Sequence, residues 1–111
     1  MQTITGTFHL SPRGEWIHTV EIDGRPLAIE PSWRICKQSY GFNWGYYGSG
    51  PSQLALALML TCVEDEDTAW CLAGSFKEEV VSTWPYNASF TYPGAALHHW
   101  VARKQSMIEQ A

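Results

Sequence analysis

A chain of 111 residues with 45% hydrophobic and only 16% charged residues has the balance of a single folded domain, 1–111, the opposite of a disordered chain. A net charge of −4, with the seven Lys and Arg scattered, disfavours nucleic acid as a partner, because that affinity rests on a basic stripe. No apolar run is long enough for a bilayer and no basic-then-apolar leader opens the chain, so the expected setting is the cytoplasm, without membrane attachment and with Cys36, Cys62 and Cys71 reduced.

The first third has strand periodicity. In "ITGTFHL" Ile4, Gly6, Phe8 and Leu10 alternate with polar residues, and in "WIHTVEI" Trp16, His18, Val20 and Ile22 share one face. Asp23-Gly24 then predicts a type I′ hairpin turn into "RPLAIE", whose Pro26 confines that strand to an edge. "SWRICK" reads as a fourth, short strand. The remainder is helical. Pro51, favoured at a first helical position, starts the apolar "PSQLALALMLTC", with Ser49 or Gly50 as cap. Being apolar nearly all round, this helix is expected at the centre. Ala69, Leu72, Ala73, Phe76, Val80 and Trp84 recur at helical spacing over 68–84, and Pro85 ends that run. Pro93 opens a third helix with Leu97, Trp100, Val101 and Lys104 along one stripe. The predicted fold is α+β: a small N-terminal antiparallel sheet of three to four strands packed against about three helices.

The stretch "GYYGSGPS", from Gly45 to Ser52, looks at first like a phosphate cradle. In the pattern G-x-x-x-x-G-K-S/T, however, the lysine position holds Pro51, which has neither charge nor N–H. The dinucleotide pattern fails too, since Gln53 stands where its third glycine belongs. An anion could still use the N–H groups at Gly48, Ser49 and Gly50, where a helix begins. The structural reading is that these glycines supply positive φ and close backbone approach.

Other chemistry-bearing residues are sparse. The acidic run Glu64 to Asp67 lacks the ligand spacing and glycine of a calcium loop and lies just before the 68–84 helix, where negative charge favours the dipole and Asp67 is the expected cap. His98 and His99 are adjacent and point about 100° apart on a helix, so they do not form a metal pair. Cys62 and Cys71 lie in apolar surroundings and read as buried structural cysteines. No catalytic residue, metal site or cofactor is assigned. The densest unusual composition is "YGFNWGYY", with Tyr40, Phe42, Trp44, Tyr46 and Tyr47 interleaved with glycines. These rings either seal the core or contact a partner, and Trp44, Tyr46 and Tyr47 are the candidate partner-binding residues.

"VEIDGRPL", "SYGFNWGYYGSGPSQLALALML", "SFKEEVVSTW" and "LHHWV" together resemble a small family of bacterial, phage and plasmid proteins, a domain of unknown function. The resemblance spans Val20 to Val101, with W-G-Y-x-G-S-G-P-x-x-L-A-L as its core, and departs at Tyr47, where glycine is expected in many relatives. It implies no activity. It implies a setting among accessory proteins of mobile elements, where small acidic proteins bind a host protein, counter-defence inhibitors of the anti-CRISPR kind included. The leading expectation is therefore a non-enzymatic protein-binding module. The alternatives are a nucleotide or nucleic-acid binder using the glycine turn, and a small Cys/His enzyme.

Overall fold

The computed structural model describes residues 1–110. Strands β1 (Thr3–Leu10) and β2 (Trp16–Ile22) form the antiparallel pair that the alternation predicts, in the register Ile4 opposite Ile22 and Leu10 opposite Trp16. The Asp23-Gly24 turn has positive φ at both residues, 52° and 80°, as a type I′ turn requires. It leads into the two-residue edge strand β3 (Arg25–Pro26). The Asp23 carboxylate reaches back to the N–H groups of Gln2, at 2.9 Å, and Thr3, at 2.8 Å, clamping the hairpin onto the start of β1. Those hydrogen bonds hold its pKa below the usual carboxylate value.

The fourth strand is not at "SWRICK". That segment is helix α1 (Glu30–Ile35), with Pro31 in its first turn where no intrahelical N–H is needed. The fourth strand is β4 (Phe90–Pro93), antiparallel to β1, giving the order β3-β2-β1-β4. Phe90 is buried with its ring over Gly6, where a Cβ would collide with it.

Helix α2 (Ser49–Cys62) is central, as its composition predicts: Leu54 through Met59 are all buried. Pro51 is its third residue rather than its first, a position whose N–H is equally unneeded. Helix α3 (Glu66–Glu79) begins two residues earlier than its periodicity suggests and ends sooner. Val80 closes it, a 3-10 turn occupies Val81–Thr83, and Trp84 lies beyond, stacked on Phe90 with centroids 3.9 Å apart. Helix α4 (Gly94–Gln110) follows β4 directly and buries Leu97, Trp100 and Val101. Lys104, on the same stripe, pairs with Glu79 at 2.7 Å, which ties α4 to the end of α3. One hydrophobic cluster joins sheet and helices, from Ile4 and Val20 through α2 to Phe76 and Trp100. An α+β fold of four antiparallel strands and four helices results.

The molecule is elongated, 50 × 26 × 24 Å. Trp16 is 62% exposed although its strand face is the apolar one, and Leu10 opposite it is exposed too.

Candidate functional site

The glycine turn is a joint between two segments distant in sequence. Gly45 has φ +86°, and its N–H donates to the Val81 carbonyl at 3.0 Å. A Cβ there would stand 2.7 Å from the Tyr86 Cα and 2.8 Å from the Trp84 carbonyl oxygen, so only glycine lets the backbones approach this closely. One residue earlier, Trp44 is fully buried. Its indole N–H donates to the Ala88 carbonyl at 2.8 Å, and its ring meets His18 and Phe90 edge-on. The turn is thus bolted to residues 81–90 by a backbone bond, an indole bond and ring packing.

That burial removes Trp44 from the candidate contact residues: it supports a surface and is not part of one. Tyr46 and Tyr47 remain, 36% and 70% exposed. Tyr86, from the other side of the joint, is 64% exposed and stands perpendicular to Tyr46 with centroids 5.8 Å apart. The sequence signal for Tyr86 was slight: it sits between Pro85 and Asn87, whose φ of 51° completes a tight turn. Tyr40 is exposed as well, and the Lys37 ammonium lies 4.2 Å from its ring and 4.3 Å from that of Trp33.

Gly48, Ser49 and Gly50 are arranged around packing. A Cβ at Gly48 would stand 2.5 Å from the Tyr46 ring, and one at Gly50 would stand 2.6 Å from the Asn43 Cβ. The Gly48 carbonyl accepts from both the N–H and the hydroxyl of Ser52, at 3.1 and 2.9 Å. Gly50 and Pro51 are buried, and no basic residue belongs to this first turn of α2.

The acidic run caps α3, but through Asp65 and not Asp67: the Asp65 carboxylate accepts from the Thr68 N–H at 2.9 Å and hydroxyl at 2.6 Å. Cys71 is exposed, contrary to the buried role expected of it, because it faces away from the Leu72–Phe76 stripe of α3. Cys36 and Cys62 are half-buried, and burial pushes the Cys62 thiol above its ordinary pKa, which disfavours the thiolate. Among the described residues no group of three or more His, Cys, Asp or Glu is placed to hold a metal ion, and no helix is long and apolar enough to cross a membrane.

A polar hub that the sequence pattern did not reveal lies beside the joint. Gln53, fully buried, accepts from the N–H groups of Gln38 and Ser39 at 2.6 and 3.0 Å. Its amide donates to the Ser32 hydroxyl at 2.7 Å and the Cys36 carbonyl at 3.1 Å. It fastens α1 and the following loop, which carries Tyr40, to α2.

A family model described as a family of unknown function, DUF6166, matches residues 9–103. The match takes in β2, all four helices' packing residues and the whole glycine joint. No curated protein and no solved structure matches the chain.

Proposed function

We propose that this chain, which belongs to the DUF6166 family of unknown function, is a non-enzymatic protein-binding module whose contact surface centres on Tyr46, Tyr47 and Tyr86. The observation that carries the reading is the seating of these rings. Three exposed tyrosines flank a joint held by Trp44 and Gly45, so they are presented by a scaffold that is already ordered. Tyrosines of this kind contribute large contact area at little entropic cost, and their hydroxyls serve the polar rim. The acidic balance favours a partner with a basic face. The resemblance to mobile-element proteins favours a host protein as that partner, a defence complex being the specific candidate.

The test compares the wild-type chain with a Tyr46→Ser, Tyr47→Ser, Tyr86→Ser variant in pull-downs from a bacterial host lysate, after circular dichroism has shown that both fold. The reading requires a protein retained by the wild type and lost by the variant. Identical recoveries from the two chains would remove these tyrosines as the contact surface.

A further inference from the structure

A cleft of about 340 Å³ lies away from the tyrosines, between the first turn of α2 and the outer side of α3. Its walls come from Gln38, Ser52, Trp70, Ala73, Gly74 and Lys77, with the exposed Cys71 beside them. Its size falls at the lower end of the range for small-molecule sites. We propose that this cleft binds a small planar aromatic carboxylate.

Three observations carry the assignment. The first is charge. The chain has eleven acidic and seven basic residues, yet no acidic residue lines the cleft, and Lys77 is its one charged group. Lys77 forms no ion pair with the described residues, so its ammonium is available to an anion. A single ammonium suits one carboxylate, whereas a phosphate dianion draws several cations or N–H groups. The second is shape. The half-exposed Trp70 ring, Ala73 and Gly74 supply the cleft's apolar lining, a surface on which a flat ring can pack.

The third is Gly74. It stands inside α3 with ordinary helical φ, and a Cβ there would meet nothing within 4 Å. Alanine would fit and would favour the helix, so neither backbone nor packing accounts for the glycine. Its effect is to keep the lining open between Trp70, one turn before, and Lys77, one turn after. Gln38 completes the set. Its backbone N–H is fixed by the Gln53 oxygen at 2.6 Å, which anchors the base of a side-chain amide able to donate to the carboxylate beside Lys77.

The experiment titrates the full chain with benzoate and indole-3-acetate, and with benzamide and inorganic phosphate as controls, following backbone amide NMR shifts. Saturable shifts centred on residues 70–77, Gln38 and Ser52 are expected for the two carboxylates alone. Lys77→Met should weaken binding about tenfold. Gly74→Leu should abolish it by filling the cleft, and Gly74→Ala should raise the melting midpoint while weakening binding. Shifts that do not saturate, that benzamide or phosphate reproduces, or that persist unchanged in Lys77→Met would overturn the assignment. Should Gly74→Leu fail to fold, Lys77→Met decides. The tyrosine surface is untouched by these variants, so the two proposals fail independently.

Discussion

Gln53 is a fully buried amide in the most apolar helix of the chain. All its hydrogen-bonding capacity toward α1 and the 36–39 loop is used, so it costs little to bury and much to remove. Gln53→Leu keeps the volume and strands two loop N–H groups and the Cys36 carbonyl, while the Ser32 hydroxyl keeps its bond to the Ile29 carbonyl. A loss of about 3 kcal/mol is expected in urea unfolding, together with faster amide exchange at Gln38 and Ser39. Gly45 supports a second test at the same scale. Gly45→Ala adds positive-φ strain and a collision with the Tyr86 and Trp84 backbone, whereas Gly24→Ala adds the strain alone, since nothing lies within 4 Å. Gly24→Ala should cost about 1 kcal/mol and Gly45→Ala distinctly more, about 3 kcal/mol, in parallel denaturation curves. Equal costs would mean that the joint yields and that close approach is not what the glycine secures. Neither residue's weight was readable from the sequence. Gln53 is one polar letter in a Leu-Ala run, and a glycine's partner 41 residues away leaves no local trace.

At the scale of elements, what could be read was what has a period or a turn code. The Asp23-Gly24 hairpin, the buried α2 and the α4 stripe each follow from such a signal. The exchange of α1 for β4 as the fourth element has a physical cause. "SWRICK" is rich in strand-forming side chains, but Pro31 favours a helical first turn, and Gln53 holds the segment's end against α2. "FTYP" is too short to display a period and becomes a strand only because β1 offers it an edge. The α3 cap shows the limit of a run of like residues. Four consecutive acids gave no means of telling which one caps, and Asp65 does so by reaching Thr68 three residues on. Asp65→Ala should therefore lower the denaturation midpoint measurably, while Asp67→Ala should leave it nearly unchanged, both measured by chemical denaturation. The Asp65 contribution is present at neutral pH. The Thr68 hydrogen bonds hold its folded pKa below the ordinary 3.8, so the contribution is lost as pH falls below that value.

On the scale of the whole molecule, an aromatic series runs from the exposed Trp16 into the core. Trp16 stacks on Phe8 at 4.6 Å, Phe8 meets His18 at 4.8 Å, His18 meets Trp44 at 4.9 Å, and Trp44 meets Phe90 at 4.8 Å. Strand alternation placed Trp16, His18, Val20 and Ile22 on one face; it carries no information on how far that face is covered, and Trp16 at its end is 62% exposed while Val20 is buried. His18 is the one titratable member of the series. Its Nε2 is buried without a hydrogen-bond partner among the described residues, and burial lowers its pKa below the ordinary 6.5. The unfolded chain therefore takes up this proton at a higher pH than the folded one. Its stabilising contribution is complete above pH 6.5 and is lost as pH falls through that value toward the folded pKa. Asp23 and Glu79, both held below their ordinary values by hydrogen bonds, add a second decline in more acid solution, below about pH 4. Urea midpoints measured from pH 8 to pH 3 should thus fall in two steps. His18→Phe keeps a ring between Phe8 and Trp44 and should remove the upper step while leaving the lower one in place. An upper step that survives His18→Phe would assign it to another histidine. A rise in stability on acidification would mean that attraction between the imidazolium and the neighbouring rings outweighs the cost of burying the charge.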